Sequence, residues 1–68
     1  MSDAQSAQLI TALYHSIQHN EASLGKLTIV QNYKHLLSPS NLKKVNSIVR
    51  AITSQNNQLK KLGQTLAR

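Results

Sequence analysis

The sequence predicts an all-α protein: a small bundle of two to three helices with a long C-terminal amphipathic helix, expected to be completed by self-association. Apolar residues recur three and four positions apart along most of the chain, which is the spacing of amphipathic helices. Only Thr28–Val30 resembles a strand, and no second strand-like segment is present to pair with it. The chain has 68 residues and no cysteine, so neither disulfides nor a cysteine-based metal site reinforces a small core.

The first predicted helix covers residues 3–22. Ser2 and Gln5 have the spacing of a capping box, in which each side chain bonds to the other residue's backbone amide. The apolar residues then follow with helical spacing, and the periodic positions are Ile10, Leu13, Tyr14 and Ile17. Asn20-Glu21 interrupts the apolar run, and Gly25 is a residue type that often ends helices. We therefore expect this helix to stop before Gly25.

The second predicted helix covers residues 27–37. Thr28–Val30 would suit a strand, but Leu27, Val30 and Leu37 also fit one helical face. An isolated strand would leave its backbone groups without partners, so the helical interpretation is favoured.

The third predicted helix covers residues 39–67, within a single helical domain of residues 1–68. Ser38 can cap its first turn, and Pro39 fits the first helical position because its missing amide donor costs nothing there. The polar run Thr53–Gln58 does not interrupt the helical period, because Asn56 occupies the apolar line between Ile52 and Leu59. Ile48 and Leu62 widen this line on one side.

The apolar line of the third helix is the predicted interface for an oligomer or partner. The helix would be about 42 Å long, against about 27 Å for the first predicted helix, so part of the line would need cover from another chain. We expect a homodimer or a higher even oligomer, formed through Leu42, Val45, Val49, Ile52, Asn56, Leu59 and Leu66. Asn56 either pairs across that interface and fixes register, or lies in water on a protruding helix.

The net charge of +6 predicts an acidic partner such as nucleic acid, an anionic membrane or an acidic protein. Most basic residues of the third helix point away from its apolar line, where they would meet phosphates. The possible nucleic-acid contacts are Lys43, Lys44, Arg50, Lys60, Lys61 and Arg68. Because Tyr14 and Tyr33 are the only aromatic residues, single strands would lack stacking platforms, and a duplex bound by a dimer is the expected form.

Catalysis and metal binding are not predicted. The acidic residues are Asp3 and Glu21 alone, and no nucleophile motif lies near them. His15 and His19 have the spacing of a metal pair, but they point toward solvent and are interpreted as surface residues. We expect no cofactor.

The favoured function is a small, basic, non-enzymatic protein–protein interaction or regulatory module that acts through an exposed apolar helix stripe. The alternative is a dimeric regulator that binds duplex DNA. A membrane-surface or toxin-immunity bundle is the third class; membrane-surface helices usually carry Trp or Phe, and this chain has neither. With no basic or apolar leader after Met1, the chain is expected to be cytoplasmic.

Overall fold

Two long helices, joined by a short turn, run antiparallel in the computed structural model, which describes residues 3–66. The first helix, α1, spans Asp3–Asn32, a 3₁₀ turn spans Lys34–Leu36, and the second helix, α2, spans Pro39–Leu66. The Cα atoms occupy about 51 × 15 × 12 Å. Within residues 3–66 there is no strand, which confirms the all-α prediction.

The first two predicted helices are in fact one. Residues predicted as a helix at 3–22, a break, and a helix at 27–37 form the continuous α1, which ends at Asn32. Gly25 lies inside α1 and does not adopt the left-handed conformation of a helix cap. A glycine inside a helix costs only about 1 kcal/mol relative to alanine. Packing against α2 offsets that cost, because Leu24 and Leu27 on either side of Gly25 are half-buried.

The last part of the second predicted helix is the turn that reverses the chain. The backbone amides of Leu36 and Leu37 donate to the carbonyls of Tyr33 and Lys34 at 2.9 and 3.1 Å. These hydrogen bonds span three residues, as in a 3₁₀ helix, where an α-helix would span four. The Leu36 side chain in this turn is 72% exposed.

The start of α2 confirms the predicted cap. The backbone amide of Asn41 donates to the Ser38 hydroxyl at 3.1 Å, which satisfies a donor of the first helical turn. Pro39 is the first residue of α2, where its fixed φ suits the helix and its lack of an amide donor is harmless. From there α2 continues through the polar run Thr53–Gln58 without interruption, so the helix is confirmed to Leu66. Ala67, its predicted last residue, lies outside the described residues, as does the predicted cap at Ser2.

The two helices meet along one line of residues that alternate three and four apart on each helix, the seam. Every seam residue is half-buried, except Asn56, which is buried. On α1 the seam consists of Ile10, Leu13, Ile17, Asn20, Leu24, Leu27 and Gln31, and on α2 of Leu42, Val45, Val49, Ile52, Asn56, Leu59, Gly63 and Leu66.

The contacts between the helices fix an antiparallel register. Asn20 contacts Asn56, and eleven residues later along α1, Gln31 contacts Asn46, which lies ten residues earlier on α2. The same register places Leu24 level with Ile52, and Ile17 level with Leu59.

The lengths of the helices remove one argument for self-association. With 30 residues in α1 and 28 in α2, the helices are about 45 and 42 Å long. The predicted mismatch between a long third helix and a short cover is therefore wrong, because α1 extends along the whole of α2. Depth of burial is what the fold lacks, since none of the described apolar residues is buried.

Replacing Gly25 by alanine tests whether α1 is continuous. Apart from its chain neighbours and the adjacent helix backbone, no heavy atom lies within 4 Å of a Cβ placed at this position, and alanine favours a helix interior by about 0.5–1 kcal/mol over glycine. We expect Gly25→Ala to raise the melting temperature, followed by circular dichroism, by roughly 2–8 °C for a domain this small.

Ala22→Gly, three residues earlier in the same exposed part of α1, is the matched control and should lower the melting temperature by a similar amount. A fall on Gly25→Ala would show that the helix stops at Gly25 in a left-handed cap.

Candidate interaction surfaces

The predicted oligomer interface lies against α1 of the same chain. Leu42, Val45, Val49, Ile52, Leu59 and Leu66 are half-buried seam residues. Asn56 is 4% exposed and accepts a hydrogen bond at 3.2 Å from the side-chain amide of Asn20. Asn56 is thus neither wet nor dependent on a symmetry mate, because α1 supplies its partner.

Asn20 is one of two seam residues that the sequence pattern did not predict, the other being Gln31. In the sequence Asn20-Glu21 interrupts the apolar run, but Asn20 lies three residues after Ile17 and four before Leu24. Asn56 has the reverse spacing, four residues after Ile52 and three before Leu59. The sequence does contain a signal for this pairing: each helix has one asparagine in an otherwise apolar periodic position, which indicates that the two side chains could pair with each other.

One side of the hairpin, the ion-pair flank, is mostly polar. Its residues each follow a seam residue: Tyr14, Glu21 and Thr28 on α1, and Asn46, Thr53 and Lys60 on α2. Lys60 Nζ lies 3.5 Å from Glu21 Oε1, with both side chains about half exposed. Gln31 Nε2 donates to Asn46 Oδ1 at 3.0 Å. The ion pair contributes at most about 1 kcal/mol in water, but it marks which edges of the two helices meet on this side.

The opposite side, the apolar flank, consists of one row of residues on each helix; the members of a row are seven residues apart, and each precedes a seam residue. In an antiparallel helix pair, equivalent edges of the two helices lie on the same side. The flank therefore brings together Leu9, Ser16, Ser23 and Val30 from α1 with Ile48, Gln55 and Leu62 from α2. Its four aliphatic side chains are 37–49% exposed. The sequence showed Ile48 and Leu62 widening the α2 stripe, but not that Leu9 and Val30 lie on the same side.

Gly63 leaves an apolar depression near the open end of the hairpin. A groove of about 250 Å³ lies there, lined by Ile10, Leu13, Tyr14, Ile17, Gly63 and Gln64. Apart from its chain neighbours and the adjacent helix backbone, no heavy atom lies within 4 Å of a Cβ placed on Gly63, so the missing side chain leaves this part of the seam open.

The basic residues predicted to contact nucleic acid divide into separate groups. A groove of about 330 Å³ on the outer face of α2, the side turned away from α1, is lined by Ser40, Lys43, Lys44, Ser47 and Arg50. Lys61 lies eleven residues beyond Arg50, about 16 Å along the axis. Lys60 is on the ion-pair flank with Glu21. Arg68 lies outside the described residues.

Other kinds of site find little support in residues 3–66. No group of three or more His, Cys, Asp and Glu side chains is placed there to hold a metal ion. None of the described helices is both long enough and apolar enough to cross a membrane. Compared with protein-family models, curated proteins and solved structures, the chain matches none of them.

The Asn20–Asn56 pair gives a prediction about stability. Asn56→Ala leaves the Asn20 amide without its partner in the seam, and we expect the free energy of unfolding in urea to fall by about 1–3 kcal/mol. Asn20→Leu with Asn56→Leu removes both amides together and should recover that loss, because neither variant side chain needs a hydrogen bond.

A double-mutant cycle with Asn20→Ala measures the coupling between the two residues. Strictly additive effects of Asn20→Ala and Asn56→Ala would contradict the pairing.

Proposed function

We propose that this chain is a small, non-enzymatic protein–protein interaction module that buries its apolar flank on a helical partner, with a second copy of itself as that partner. The observation that carries the proposal is the shallow burial of the apolar residues in the two-helix fold. In residues 3–66 no apolar side chain is buried, and the only buried residue is Asn56. A hairpin of this kind gains little from the hydrophobic effect until a further surface covers it.

The accessible surface supports a partner of about the size of this chain. The chain exposes 5383 Å², whereas a compact monomer of 7.5 kDa would expose about 4,200 Å². The excess of roughly 1,200 Å² exceeds the approximately 800 Å² that each partner buries in a standard-sized interface. One more interface of ordinary size would therefore bring the chain to the burial of a compact protein.

The apolar flank is the surface best suited to that interface. Its aliphatic residues come from both helices, and its remaining residues are two serines and a glutamine. No charged residue lies in its rows, so burying them removes no charge from water, which is the costly step in polar interfaces. The ion-pair flank, by contrast, would have to desolvate Glu21 and Lys60.

Two hairpins joined through this flank would form a four-helix bundle, in which each seam residue gains cover from the second hairpin. A two-fold symmetric pair uses the same patch on both copies, and an uncharged patch does not repel itself. The net charge of +6 does not oppose the pairing strongly, because the groove cations Lys43, Lys44 and Arg50 lie on the outer face of α2. Binding of another helix in place of the second copy would give the module a regulatory role by competition.

The oligomeric state of wild type and of one double variant tests this proposal. Sedimentation equilibrium from low to high micromolar concentration should give a wild-type mass of about twice 7.5 kDa. Ile48→Gln with Leu62→Gln should raise the dimer dissociation constant by roughly tenfold or more, because two aliphatic side chains lose their burial in each copy.

The matched control is Ile29→Gln with Tyr33→Gln, which changes two exposed residues outside the apolar flank and should leave dimerisation unchanged. Circular dichroism checks that each variant keeps its helices. A wild type that is folded and monomeric at high micromolar concentration would overturn the proposal, and equal weakening by the control pair would reject this flank as the interface.

A further inference from the structure

The outer face of α2 carries a concentrated positive charge that the fold itself does not use. Lys43, Lys44 and Arg50 line a groove of about 330 Å³ together with Ser40 and Ser47. All five residues are exposed. Among residues 3–66, the ion pair that forms is Lys60–Glu21, and the three groove cations have no carboxylate partner.

Within residues 3–66, these cations form no ion pair with α1. In α2 five basic residues occur with no acid, whereas α1 contains one lysine against Asp3 and Glu21. The cross-helix ion pair of residues 3–66 uses Lys60, on a different side of α2 from the groove. An anion bound in the groove would therefore come from another molecule.

The chemistry of the groove matches phosphate groups. Lysine and arginine meet phosphate oxygens with charge-assisted hydrogen bonds, and serine hydroxyls are common additional donors. Lys43 and Arg50 are seven residues apart, or about 10 Å along the helix, which corresponds to about three base pairs of duplex rise. Lys61 continues the basic outer side of α2, so that Lys43 to Lys61 spans about 27 Å, or about eight base pairs.

Two features of the surface favour a duplex over other polyanions. The aromatic residues Tyr14 and Tyr33 lie on α1 and the turn, so the groove offers no ring on which single-stranded bases could stack. No large apolar side chain lines the groove, whereas helices that bind membrane surfaces insert such side chains between lipids.

We infer that the outer face of α2 binds the phosphate backbone of a nucleic-acid duplex, with Lys43, Lys44 and Arg50 as the main contacts and with little preference for base sequence. This surface is separate from the apolar flank, and the inference does not depend on the protein forming a dimer. A dimer would present two such faces and bind a long duplex more tightly through both of them.

Fluorescence anisotropy with a labelled DNA duplex of about 20 base pairs, between roughly 50 and 200 mM salt, measures this binding. Wild type should bind at the lower salt concentration and lose affinity steeply as salt rises. Lys43→Ala with Lys44→Ala and Arg50→Ala should weaken binding by roughly tenfold or more and reduce the logarithmic salt slope by about 2 to 3. Glutamine at the same three positions should give the same result, which protects the test against a folding effect of one variant.

The charge-matched control is Lys26→Ala with Lys34→Ala and Lys60→Ala, which also removes three positive charges but none from the groove. This control variant should weaken duplex binding by less than about threefold, because the three removed charges lie away from the duplex and salt screens their attraction to it. Equal losses in the two triple variants would show a general effect of net charge and overturn the inference.

Vesicles with and without phosphatidylserine distinguish a lipid surface from a duplex. Absence of duplex binding by wild type at low salt would overturn the inference. Binding to the anionic vesicles without binding to the duplex would likewise overturn it and assign the groove to a membrane surface.

Discussion

The antiparallel seam is the constraint on which the rest of the structure depends. Two helices share only one line of contact, so its register decides which residues lie on each side of the hairpin. The hydrogen bond between Asn20 and Asn56, at 3.2 Å, fixes one level of that register. A slip of one seam position would place each asparagine opposite an aliphatic residue and leave its amide without a partner, at a cost of about 1–3 kcal/mol.

The register makes the two flanks chemically different. On one side it joins Glu21 to Lys60, and on the other it brings the rows of Val30 and Ile48 together. Neither row is apolar throughout, because each contains serine or glutamine between its aliphatic residues. Side by side they form the uncharged strip that the proposed dimer would bury.

The same geometry keeps the proposed surfaces apart. A helix that contacts one neighbour has a narrow seam, two flanks and a wide outer face, and α2 carries the groove residues Lys43, Lys44 and Arg50 on that outer face. Apolar burial and binding of an anion thus use different residues of one helix. The surface proposed for a protein partner and the surface proposed for a polyanion therefore share no residues.

The sequence by itself determined the helical class, the start of α2 at Ser38-Pro39, and the seam stripe of α2. Each depends on residues that are close in the chain. The start of α2 follows from a capping serine and the proline after it, and the helical class and the stripe follow from apolar residues spaced three and four positions apart. Only the tertiary structure decided that α1 continues through Gly25 and that Asn56 pairs with Asn20. Local propensity places a possible stop at glycine, but a cost of about 1 kcal/mol is outweighed when the residues on either side pack against a second helix. The partner of a buried amide, likewise, is set by which distant segment folds back beside it.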